Sequence, residues 1–297
     1  MAPKTKSKKT VVKSVSATGL LGEASGRLGQ SESEPGKKVG RKPNKALVLV
    51  HGAGKFPKSH VEAIAADIKA TYGKPIDTFV AYYADWDQQL VASVAVESIE
   101  AQDFKQAFRA ELQKQSDALA PLAHPVTATI VPSQDDVGGL ELASVLTNQI
   151  ASYLFNPVVT HIIQAPLLQV LDQVSNYKEI ILISHSMGTV VAFDVLKQVA
   201  DQYPITLWIT LGCPLGKLRR VGVRDDHLGK ITEQVVENWY NVFDNTDIVA
   251  DPISPAFPEP GYRIHDIFVE VANKMPEAHD YFNNPETMRW IVQAINN

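Results

Sequence analysis

The sequence predicts an α/β fold with a mostly parallel sheet covered by helices on both faces, and three observations carry that prediction. Short apolar runs rich in β-branched residues recur along the chain. Between them lie stretches with apolar residues spaced three and four apart, the mark of amphipathic helices. Strands alternating with helices build parallel crossover units rather than hairpins. With 297 residues and 45% hydrophobic content, the chain has enough apolar surface for one substantial core.

Residues 1–45 are rich in Lys, Ser, Gly and Thr and lack aromatics and periodicity, so they read as a disordered basic tail preceding a folded domain over 46–297. The first strand is Ala46–Val50, a continuous apolar run ending at His51-Gly52-Ala53-Gly54. A helix is predicted over His60–Thr71, with Val61, Ile64, Ala65 and Ile68 on one face and Gly73 beyond its end. Ile76–Tyr83 reads as the second strand. From about 84 to 177 the chain is longer than one crossover requires and carries helical patterns near Phe104–Leu119, Leu140–Tyr153 and Val158–Val174. This reads as a helical insertion, either a cap over a substrate site or extra helices packed on a sheet face. Further strands follow at Glu179–Ile183, Ile205–Leu211, Trp239–Phe243 and Ile267–Val271, with a helix over Met187–Gln202 after the first of them. A terminal helix over Pro285–Ile295 has Asn284 as its N-cap and proline at its first position.

The net charge of −5 conceals an asymmetry: residues 1–45 hold eleven Lys/Arg against three Asp/Glu, and the remainder seventeen against thirty. An acidic body gives no electrostatic basis for a specific nucleic-acid partner, while the tail is suited at most to weak contact with a polyanion or anionic membrane surface. No signal-peptide pattern is present. The most apolar stretch, Pro157–Leu171, is interrupted by Thr160, His161, Gln164 and Pro166, so no transmembrane segment is expected. A single cysteine, Cys213, precludes an intrachain disulfide, and a cytoplasmic location is the default expectation.

The chemistry concentrates at Ile183-Ser184-His185-Ser186-Met187-Gly188, where an apolar strand runs straight into a helix. A nucleophilic serine needs a hydroxyl accessible to both base and substrate, and a sharp strand-to-helix turn presents one. Such a turn brings strand and helix together, so the residues two before and two after the nucleophile must be small; Ser184 and Gly188 meet that demand. The alternative for Ser186 is a simple helix N-cap. A tetrahedral intermediate also needs N–H donors, and the N–H of Met187 at a helix N-terminus and those of Ala53 and Gly54 in the glycine-rich loop are the candidate oxyanion hole. That loop lacks the spacing of a phosphate-binding loop. His51 and His185 are assigned no chemical role, Cys213 reads as core, and no metal-ligand spacing or cofactor motif is present.

A strand ending in His-Gly-x-Gly, the turn Ser-His-Ser-Met-Gly and a later strand running into Gly212-Cys213-Pro214-Leu215 resemble the α/β-hydrolase superfamily over roughly residues 46–295, with features similar to its serine esterase and lipase branches. The resemblance implies a chain order of Ser, then Asp or Glu, then His. It points to Asp247 as the acid, in the turn Asp244-Asn245-Thr246-Asp247-Ile248-Val249, with Asp244 as runner-up and Asp251 behind it. It points to His279 as the base, ahead of His265. The implied activity is carboxylic ester hydrolysis through an acyl-enzyme on Ser186, with thioesterase, amidase or acyltransferase chemistry on the same residues as alternatives. A catalytically inert relative used for binding is the alternative of another class. The expected substrate is a small or lipid-like acyl ester, because Leu140, Leu142, Val145, Leu146 and Ile150 either line a pocket or fill the core.

Overall fold

The computed structural model describes residues 44–53, 57–83, 98–123, 134–199, 202–222, 236–257 and 264–297. Residues 1–43 of the expected tail and Gly54 lie outside these residues, as do the side chain of Leu140 and the first part of the predicted insertion, while Lys45, expected to end the tail, opens the first strand.

Among the described residues six strands form one sheet: β1 (Lys45–Val50), β2 (Asp77–Ala81), β3 (Glu179–His185), β4 (Ile205–Leu211), β5 (Val236–Phe243) and β6 (Ile264–Phe268). Every neighbouring pair is parallel, in the order β2-β1-β3-β4-β5-β6. The described residues hold seven helices: α1 (Lys58–Tyr72), α2 (Ile99–Ala123), α3 (Gln134–Phe155), α4 (Pro157–Val174), α5 (Met187–Val199), α6 (Leu215–Arg220) and α7 (Pro285–Asn296). The protein is thus an α/β fold on an all-parallel sheet.

Alternation along the strands divides the core in two. In β1, Ala46, Val48 and Val50 join one cluster with α2 to α5, while Leu47 and Leu49 join another with α1 and α7. Both faces are therefore covered, which is how a parallel sheet buries its continuous apolar strands. The chain leaves β1 toward β2 on one side and returns to β3 on the other, so the order reverses between β1 and β3. In open parallel sheets the crevice beyond the strand ends at such a reversal is where ligands bind. The ends of β1 and β3 carry His51-Gly52 and Ser186, with Val50 paired to Ser184 across the two strands.

The helix signals behave as local physics demands. Gly73 adopts φ 67° and closes α1 through its N–H to the Lys69 carbonyl, and Asn284 caps α7 by accepting the Thr287 N–H at 2.8 Å. Five strands differ from expectation, two of them slightly: β1 starts at Lys45 and β3 runs on to His185. The second covers only Asp77–Ala81, the fifth starts earlier at Val236, and the last is Ile264–Phe268 rather than Ile267–Val271. The last is an edge strand whose pairing to β5 sets its limits, and its side chains are mostly half-exposed, so hydrophobicity marks its ends poorly. The final part of the expected insertion, α4, packs Val159, Ile163, Leu167, Leu171 and Val174 on the sheet and delivers the chain to β3, making it a crossover helix. Leu146 and Ile150 of α3 and Phe108 and Leu112 of α2 sit in the same cluster, with α2 and α3 packed on one another, α3 on α4 and α5, and α2 on α6. Leu142 is partly buried against them and Val145 is exposed. Helices α3 and α4 meet at a 99° bend, and among the described residues no single helix is long and apolar enough to cross a membrane.

Candidate active site

The turn between β3 and α5 is strained. Ser186 has φ 53°, the sole positive value outside glycine among the described residues. An L-residue held there costs about 1–3 kcal/mol, a cost found where surroundings over-determine the backbone. The surroundings here do so. The Ser186 N–H donates to the Leu211 carbonyl at the end of β4 (2.9 Å), and its carbonyl accepts both the N–H (2.9 Å) and the hydroxyl (2.7 Å) of Thr189.

Close packing explains the small residues on either side. A β-carbon on Gly188 would stand 2.2 Å from the His51 carbonyl oxygen and 2.9 Å from that of Val50, so α5 starts directly against the end of β1. At position 184 the serine serves a neighbour: its buried hydroxyl accepts the Trp208 indole N–H at 2.9 Å. A glycine there would leave that donor buried and unpaired. On the loop side, a β-carbon on Gly52 would lie 2.8 Å from the Ser186 β-carbon. The glycine-rich loop and the nucleophile candidate are therefore in backbone-close contact. Ala53 is half-buried there, and Met187 opens α5.

Asp247 and His279, 32 positions apart, meet in the interior, with His279 Nδ1 2.8 Å from Asp247 Oδ2. Asp247 is fully buried, and burial opposes its charge; His279, the Val249 N–H and the Tyr281 hydroxyl outweigh that and hold its carboxyl below the usual range. With the Nδ1 face on an ionised carboxylate, the other ring nitrogen is left as an acceptor. That Nε2 atom is buried without a hydrogen-bond partner in the structure, in a residue only 6% exposed. The imidazole lies over Gly212, where a β-carbon would stand 2.8 Å from His279 Cε1, and the preceding Leu211 carbonyl is the one bound by the Ser186 N–H. Serine and imidazole thus share the Leu211-Gly212 turn.

Asp244, Asp251 and His265 are engaged elsewhere. The Asp244 carboxylate accepts the N–H (2.7 Å) and hydroxyl (2.8 Å) of Thr246 and the N–H groups of Val271 (2.6 Å) and Ala272 (3.2 Å), which ties the acid turn to the chain beyond β6. Asp251 pairs with the fully buried Lys217 of α6 and with Arg220 (2.6 Å). His265 lies within β6, not before it, with its ring stacked 4.9 Å from Tyr240.

Several residues of the neighbourhood went unnoticed in the sequence. Tyr281 donates to Asp247, Gln115 of α2 donates to the Asp247 carbonyl (3.2 Å), and Lys217 donates to the Ala250 carbonyl (3.0 Å). Arg220 also reaches Glu111 of α2 at 2.6 Å, so α2 is fastened to the acid turn from two sides. No local pattern announces any of them; a tyrosine two residues after His279 was the only legible hint.

His51 and His185 have structural tasks. His51 Nε2 accepts the Tyr83 N–H (3.0 Å), which directs its Nδ1–H to the Gly52 carbonyl (2.7 Å), and burial lowers its pKa to about 4. His185 Nε2 lies 3.0 Å from the His279 carbonyl and so binds the His279 loop to the turn after β3. Because the folded pKa of His51 is depressed from 6.5, its contribution to stability is present above pH 6.5 and lost as pH falls toward 4. The loss amounts to roughly 3 kcal/mol, since each pKa unit is worth about 1.4 kcal/mol. Urea unfolding between pH 7 and 4 is expected to show this decline and a shallower one in His51→Gln; equal slopes would contradict it.

Among the described residues no cluster of His, Cys, Asp and Glu is arranged to hold a metal ion. No protein-family model matches the sequence, and no curated protein matches it either.

Proposed function

We propose that this protein is a serine hydrolase of the α/β-hydrolase type that cleaves carboxylic esters through an acyl-enzyme on Ser186. The observation that carries the proposal is the buried His279, oriented through Nδ1 by Asp247 and left with an unpartnered Nε2, its ring on the same Leu211-Gly212 turn that anchors the strained Ser186. An unpaired buried imidazole nitrogen costs about 1–3 kcal/mol and calls for a functional account.

In this reading His279 Nε2 takes the Ser186 proton as the hydroxyl oxygen attacks the ester carbonyl carbon. Asp247 fixes the tautomer and stabilises the imidazolium. The Met187 N–H, at the positive end of α5, and the N–H groups of Ala53 and Gly54 receive the developing oxyanion. His279 then returns the proton to the departing alcohol, and a water activated by the same nitrogen releases the acid. The packing of Gly52 against Ser186 supports the placement of the oxyanion donors, because it brings that loop to the reacting hydroxyl.

The test is covalent labelling with a fluorophosphonate, which captures an activated serine. Wild type is expected to label stoichiometrically and Ser186→Ala not at all. Folded wild type that stays unlabelled would count heavily against catalysis. A panel of oxyesters, thioesters and amides of graded chain length then separates ester hydrolysis from its chemical neighbours.

A further inference from the structure

We infer that Tyr281 is a positioning residue of the Asp247–His279 pair, its phenol O–H locking the acid carboxylate in the orientation that presents it to the base. The inference rests on the reading of these residues as acid and base.

The direction of the phenol proton follows from its neighbours. The Asp244 N–H lies 2.9 Å from the Tyr281 oxygen, and a backbone N–H is solely a donor. The phenol oxygen must accept it, so the phenol proton is free to point along its other short contact, 2.9 Å to Asp247 Oδ2. His279 Nδ1 approaches that same oxygen at 2.8 Å, while Oδ1 accepts the Val249 N–H at 2.9 Å. Three fixed donors thus hold one carboxylate, and two of them come from consecutive turns, Glu277–His279 and Tyr281–Asn283. The segment that brings the base to the acid therefore also brings the donor that fixes the acid's rotation. A carboxylate free to turn would lose the alignment on which its hydrogen bond to Nδ1 depends.

Tyr281 is fully buried, and burial together with Asp247 keeps its hydroxyl protonated well above the usual tyrosine range, so it remains a donor at every working pH. The titratable and charged groups around Asp247 are His279 and Tyr281 on the base loop, His185 at the end of β3, Lys217 on α6 and Asp244 on the acid turn. Tyr281→Phe changes one of them and keeps the ring that packs against Gly212 and His185.

Two readouts test the role. In Tyr281→Phe the carboxylate loses a donor and becomes more basic, so the acid limb of the kcat/KM profile is expected to move to higher pH. The kcat is expected to fall about tenfold with KM unchanged, as loss of one hydrogen bond to a charged group implies. Independently of turnover, the downfield proton resonance of the His279 Nδ1–H is expected to shift. Fluorotyrosine at position 281 keeps the shape and strengthens the donor, and should move the limb and the resonance the opposite way, which also serves if Tyr281→Phe does not fold. An unmoved resonance and acid limb in a folded variant overturn the inference. If wild type fails to label with fluorophosphonate, the hydrolase reading falls, and the resonance alone still decides whether Tyr281 holds the pair.

Discussion

Asp247→Asn is expected to lower kcat/KM for an activated ester by about 10³–10⁴-fold while the protein stays folded. The two side chains have the same shape, so the loss isolates an electronic and tautomeric effect. Asparagine offers either an amide N–H or a neutral oxygen where the carboxylate Oδ2 now meets His279 Nδ1 at 2.8 Å. If the amide N–H faces the ring, Nδ1 must accept and Nε2 carries the proton, which removes the acceptor the Ser186 hydroxyl needs. If the oxygen faces the ring, the imidazolium formed during attack still lacks its counter-charge in a site where Asp247 is wholly buried. The same substitution at Asp244 is expected to act on stability, because both its carboxylate oxygens are taken by the acid turn and the chain after β6. Comparable kinetic losses in the two variants would sink the assignment of Asp247 as the acid.

Gly188→Ala is expected to destabilise the fold by at least about 3 kcal/mol, the upper part of the range for overpacking. The obstacle is main chain: the added methyl would sit 2.2 Å from the carbonyl oxygen of His51, directly after an interior strand, and 2.9 Å from that of Val50 at the strand's end, and neither can swing aside like a side chain. Relief requires α5 to move off β1, and that motion also disturbs Ser186, whose carbonyl is held by Thr189 within the same turn of helix. Urea denaturation is the direct measurement. A variant of wild-type stability would show that the close approach of α5 to β1 is not needed.

The central strands and the elbow were legible because their determinants are local. An apolar run ending in Ser-His-Ser-Met-Gly spells a buried strand, a tight turn and a helix start within ten residues, and the need for a small residue at 188 follows from that geometry alone. Edge strand β6 was misread by three residues at each end, since a strand with half-exposed side chains leaves little hydrophobic signal and its limits are set by pairing with β5. The helices between β2 and β3 were seen, yet sequence did not decide between cap and core, because an apolar stripe does not say what covers it. Packing shows that Leu146 and Ile150 are buried in the same cluster as Val48 and Leu182, on a helix that lies over α4 and α5.

By itself, then, the sequence determined the α/β layering and the sharp turn at Ser186, matters of short-range sterics and periodicity, while the order of an acid and a base after that serine came only from the resemblance. The resemblance already put Asp247 ahead of Asp244 and His279 ahead of His265, and tertiary structure supplies the contacts that set them apart. It brings Asp247 and His279, 32 residues apart, within 2.8 Å, fills the Asp244 carboxylate with backbone donors and adds Tyr281 and Lys217 around the pair. Hydrogen bonding and burial act between positions that only the folded sheet makes neighbours, and no local pattern encodes them.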